Sequence, residues 1–113
     1  MQGMIIVRWT TSRAGHHVDA MNLADEATAY YANMAQAGQI AGYEWVSNFT
    51  GDDGGMLLVR GDPQVLGGIT MSPEFLSMHL RGVLYLEDWH WDLALAGSTA
   101  DEVYPGWREL VGA

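Results

Sequence analysis

Four side chains able to carry a charge or a proton fall on four different segments of this chain: Arg8, Arg60, His79 and His90. A guanidinium inside a strand needs solvent or an anion, so Arg8 and Arg60 are either members of structural ion pairs or contacts for an anionic oxygen of a ligand. An imidazole titrates near neutral pH, which makes His79 and His90 the candidates for general acid or base work. In Glu87-Asp88-Trp89-His90-Trp91-Asp92, strand alternation puts Asp88, His90 and Asp92 on one face and Trp89, Trp91 and Leu93 on the other. Such a face could serve proton transfer or a metal, and it also reads as a solvated polar surface backing a tryptophan-rich core. His79 follows Phe75 by one helical neighbour spacing, so it lies beside an apolar stripe as a packed residue or as a pocket residue. The adjacent His16 and His17 point in different directions and form no ready chelate.

These residues need positioning, and the hydrophobic pattern supplies an order of elements. Met4 to Thr11 is rich in β-branched and aromatic residues, whereas His17 to Gly38 changes to helical spacing and ends on a glycine. Ile40 to Phe49 and Met56 to Arg60 read as strands joined by the glycine- and aspartate-rich 51–55 connection, a flexible hairpin loop. Asp62-Pro63 and Ser72-Pro73-Glu74 each give a helix start with a cap and a proline at the first helical position, so the second helix is broken in two around Gly67-Gly68. A last strand from Glu87 to Ala96 completes β-α-β-β-α-β, a ferredoxin-like α+β domain with an antiparallel sheet. Residues 97–113 are a C-terminal tail or short helix, with Tyr104-Pro105-Gly106-Trp107 packing onto the domain or a partner. Along the second strand Tyr43, Trp45, Ser47 and Phe49 share one face. Helices cover only one face of such a sheet, so an apolar opposite face calls for a second subunit, and a homodimer is expected.

Composition narrows the function classes. A chain of 113 residues fits one domain and buries a core without disulfides or a structural metal. The absence of cysteine excludes thiol nucleophiles and thiolate metal sites. Fourteen carboxylates against five arginines and no lysine give a formal net charge of −9, which disfavours nucleic acid and anionic membrane surfaces as partners. The apolar runs are too short to span a bilayer, and nothing resembles a signal peptide, so a cytoplasmic protein is expected. There is no P-loop, dinucleotide fingerprint or nucleophile elbow, and no cofactor or metal is expected.

Two stretches carry a family resemblance. Gly61-Asp62-Pro63-Gln64-Val65-Leu66, then Met71-Ser72-Pro73-Glu74-Phe75, then His79, resembles the second-helix region of antibiotic biosynthesis monooxygenase-type domains in the dimeric α+β barrel superfamily. Ala37-Gly38-Gln39-Ile40-Ala41-Gly42, followed by Gly54-Gly55-Met56-Leu57-Leu58-Val59, is similar to YCII-type domains of the same superfamily. The resemblance implies a dimeric barrel with a pocket between sheet and helices, in which His79 matches a pocket histidine. Two departures bear on chemistry. Arg60 stands near the tryptophan expected in haem-degrading members, and Ser72 stands where YCII-type domains place an aspartate before proline.

Two functions follow as expectations. One is a noncatalytic dimer that binds a small apolar or aromatic molecule. The other is a cofactor-independent monooxygenase or isomerase acting on a small aromatic substrate. In the second, His79 moves a proton, Arg8 or Arg60 orients an anionic oxygen, and Trp9, Tyr43 or Trp45 shapes the wall.

Overall fold

The structure, a computed structural model, describes residues 1–112. Ile5, Ile6 and Val7 favour extended backbone, and they lie at the centre of β1 (Gly3–Trp9), which is followed by a short β2 (Thr11–Ser12). The chain then forms α1 (His17–Gln36), β3 (Gly42–Ser47) and β4 (Gly55–Gly61). Next come α2 (Pro63–Thr70), α3 (Pro73–Tyr85), β5 (Leu86–Glu87), β6 (His90–Leu95) and α4 (Gly97–Leu110). The four long strands make one antiparallel sheet in the order β3-β4-β1-β6, and β2 pairs with β5 in a separate two-stranded ribbon. The architecture is α+β.

Register fixes which residues meet. Ile5 lies between Val59 and Leu93, and Val7 between Leu57 and Trp91. Alternation turns these residues towards the helices, where Ile5 and Val59 are fully buried. They pack against Leu23, Ala27 and Tyr31 of α1, Leu66 and Ile69 of α2, and Phe75 and Met78 of α3 in one hydrophobic cluster. Truncating a fully enclosed member such as Ile5 to alanine costs about 2–5 kcal/mol. The break between α2 and α3 has the chemistry expected of it. Asp62 accepts from the Gln64 N–H at 2.9 Å, and the Ser72 hydroxyl accepts from the Phe75 N–H at 3.2 Å.

Several expected boundaries move. The second long strand ends at Ser47, and Phe49 lies in the following loop with its side chain fully exposed. The last strand is two pieces. Asp88 takes φ 55°, a left-handed turn between β5 and β6, and its carboxylate accepts from the Thr10 hydroxyl at 2.8 Å. Asp88 therefore lies outside β6, and strand alternation does not group it with His90 and Asp92. The C-terminal helix runs through Pro105 and Gly106, and Tyr104 and Trp107 are exposed rather than packed on the domain. Its first turn is tied down by Thr99, whose hydroxyl accepts from the Gln2 N–H at 2.8 Å.

Helices α1, α2 and α3 cover one face of the sheet, and the face that Tyr43 and Trp45 share is this covered one. Tyr43 packs against the core, and the Trp45 indole donates to the Thr28 hydroxyl of α1 at 3.0 Å. The open face instead carries Met4, Ile6, Val46, Met56, Leu58 and Ala94, flanked by charged residues. Among the described residues no helix is long and apolar enough to cross a membrane.

Candidate functional site

Between the sheet and helices α1 and α3 lies a cavity of about 230 Å³. Its sheet wall is Val7, Trp9, Trp45 and Leu57; its helix walls are Leu23, Ala24, Ala27 and Tyr31 of α1 and Phe75, Met78 and His79 of α3; Leu86 and Trp89 close one side. Met21, mostly exposed, stands at the opening. An apolar cavity of about 150 Å³ already holds benzene, and drug-sized ligands use about 300–1,000 Å³. The volume therefore suits a substituted single ring or a fused bicycle. Trp9 and Trp45 meet edge to face with centroids 6.0 Å apart and together form a rigid corner of the wall.

Polar groups in the lining are few. Burial, with Tyr30 beside it, pushes the Tyr31 hydroxyl above its ordinary range, so the phenol is neutral in the folded protein. His79 Nδ1 accepts a hydrogen bond from the Trp89 indole N–H at 2.9 Å. An indole nitrogen is donor only, so Nδ1 carries no proton and the neutral ring holds its proton on Nε2. This indole position depends on Gly82, one turn along α3 from His79. A Cβ there would lie 2.5–2.7 Å from three atoms of the Trp89 ring.

Asp53 lies at the rim. The 51–55 loop, read from sequence as flexible, is tied across β2: the Asp53 carboxylate accepts from the Thr11 hydroxyl, from the Ser12 N–H at 3.2 Å and from the Ser12 hydroxyl at 3.1 Å. The Thr11 bond, helped by both Ser12 donors and opposed by partial desolvation, holds this carboxyl below its usual range. Asp52 shapes the same loop by accepting from the Gly54 N–H at 3.1 Å.

The structure thus brings His79, Trp9 and Trp45 into one cavity. It places the other sequence candidates elsewhere. Arg8 follows Val7 in β1, so alternation turns it to the open sheet face, where it pairs with Asp92 at 3.2 Å. His90 joins the same cluster, its Nε2 3.1 Å from Asp92 Oδ1. Arg60 pairs with Glu44, also on the open face and at the opposite end of the sheet from the cavity. Tyr43 supports the core without lining the cavity. Among the described residues no cluster of three or more histidine or carboxylate side chains is arranged to hold a metal. Trp89, Tyr31 and Asp53 were not singled out by sequence reasoning as cavity residues. Trp89 had one usable signal, its place on the tryptophan-bearing face of the last strand; Asp53 had none, because its partners are more than forty residues away.

No protein-family model matches the chain, and no curated protein matches it.

Proposed function

We propose that the protein binds a small, neutral, largely aromatic molecule in this cavity without chemically changing it. The observation that carries the reading is the committed state of His79. A general base must offer a free nitrogen lone pair, and the one on Nδ1 is already taken by the Trp89 N–H. No second acid or base is paired with His79 among the described residues, and no arginine lines the cavity to steady a developing anion. The monooxygenase or isomerase alternative lacks that support. Enclosure by tryptophan, phenylalanine and leucine favours binding through apolar burial at about 25 cal/mol per Å².

We further propose that the chain is ferredoxin-like and that two copies pair through their open sheet faces as a dimeric α+β barrel, the arrangement implied by the resemblance to monooxygenase-type and YCII-type domains. The open face supports this in its layout. Met4, Ile6, Met56 and Leu58 form an apolar centre, and Arg60–Glu44 and Arg8–Asp92 put both signs of charge at its margins, as an interface between identical surfaces requires. A cytoplasmic, soluble dimer is the corresponding expectation.

The binding reading is tested with 1-fluoronaphthalene followed by fluorine NMR. Saturable binding of one probe per chain is expected, with the probe recovered unchanged. In Ala24→Phe, which fills the cavity from a half-buried position on α1, binding should be lost while the thermal transition is retained. Equal binding by the filled variant, or conversion of the probe, would reject the reading.

A further inference from the structure

We infer that the cavity selects aromatic molecules carrying one oxygen acceptor, a carbonyl or an ether, which receives a hydrogen bond from His79 Nε2–H. The inference rests on the binding reading above and adds the chemical class of the ligand. It starts from the indole of Trp89, which fixes the tautomer of His79 by donating to Nδ1 at 2.9 Å. The ring is then left with one donor, Nε2–H. No protein group accepts from it among the described residues, and Nε2 is not sealed from access, because no buried side-chain nitrogen or oxygen lacks a partner. A ligand oxygen satisfies this donor, whereas a purely hydrocarbon ligand strips it of water and offers nothing in return.

The arrangement is held in place from outside the ring pair. Gly82 has no Cβ, and only for that reason does the Trp89 ring settle against α3 with its N–H aimed at His79. Trp89 is a positioning residue: it acts on the ligand through the proton it fixes on His79. Charge argues for a neutral ligand. An anion would meet no arginine in the lining and would pass the Asp53 carboxylate at the rim. A cation would find no free carboxylate in the lining, because the Asp53 oxygens are already occupied by Thr11 and Ser12.

The test compares acetophenone with α-methylstyrene, two neutral molecules of nearly the same shape that differ in C=O against C=CH₂, on the full chain by NMR titration. In the starting protein, nitrogen NMR of His79 should show an unprotonated Nδ1 and a protonated Nε2, and acetophenone should shift the Nε2–H resonance. In His79→Phe the preference for acetophenone over α-methylstyrene should fall about 2- to 12-fold, the value of one neutral hydrogen bond. Trp89→Phe keeps His79 but frees its tautomer, so the preference should fall there too and the nitrogen signals should show both protonation sites. If both probes bind and both variants keep the preference of the starting protein, the inference is overturned while the binding reading stands; if Nδ1 carries the proton, the inference is overturned and the argument against turnover falls with it. It is likewise overturned if benzoate or phenyltrimethylammonium binds more tightly than acetophenone. Failure of both neutral probes to bind would overturn the binding reading together with it.

Discussion

Gly82→Ala is the substitution whose outcome the structure constrains most tightly. A Cβ at this helical position would lie 2.5 Å from Cδ2, 2.6 Å from Cε2 and 2.7 Å from Cε3 of Trp89. Carbon atoms rest about 3.5–4.0 Å apart, so the indole must retreat by about 1 Å. That movement breaks the 2.9 Å bond to His79. Overpacking of this kind costs about 1–3 kcal/mol, and the lost hydrogen bond adds about 0.5–1.5 kcal/mol. Alanine returns about 1 kcal/mol through its better helix propensity. The net expectation is a loss of about 0.5–3.5 kcal/mol. Gly68→Ala is the control, because Gly68 is also helical, is exposed, and has no atom within 4 Å of its would-be Cβ. There only the propensity gain remains, and stability should rise by up to about 1 kcal/mol. Urea unfolding of both variants at one protein concentration gives the comparison directly. If Gly82→Ala is as stabilising as Gly68→Ala, Trp89 does not pack on α3 as described and the fixed His79 tautomer falls with it.

Asp53 supplies a pH dependence of defined sign. Its folded pKa lies below the unfolded value, so its contribution is complete above about pH 4 and is lost as pH falls through the folded value; thermal melts of Asp53→Asn should show a shallower acid limb than the unaltered chain. Burial raises the Tyr31 hydroxyl, so its stabilising effect runs the other way, being present below about pH 10 and fading as pH rises; an ultraviolet titration should show one tyrosine ionising only with unfolding. Leu58→Asp, in the apolar centre of the open sheet face, should convert a dimer to a monomer in sedimentation at micromolar concentration, and a dimer that persists would place the interface elsewhere.

Much of the fold was legible because its signals are local. The β-branched run of β1, the capped starts at Asp62 and Ser72, and the helical spacing of α1 each depend on residues within one or two turns of one another. What escaped depends on distant partners. Asp88 adopts its left-handed turn beside Thr10, and Asp53 anchors its loop on Thr11 and Ser12, contacts that no window of neighbouring residues contains. Alternation correctly grouped Tyr43 with Trp45, yet it carries no information on which face the helices choose, so the aromatic face proved to be the covered one. The candidate site was partly legible for the same reason. The spacing from Phe75 placed His79 beside the apolar face, its place in a pocket was what the family resemblance implied, and the tryptophan that fixes its tautomer is ten residues away across a strand turn. Arg8 and Arg60 stood out by charge alone, and each is met by a carboxylate on the open face.

The central claim is that the cavity beneath α1 and α3 is the ligand site, and a crystal structure of the protein soaked with 1-fluoronaphthalene tests it most directly. The account predicts density for one ring system per chain enclosed by Trp9, Trp45, Phe75 and Met78 with His79 at its edge. Density on the open sheet face beside Arg8 or Arg60, with this cavity empty, would contradict it.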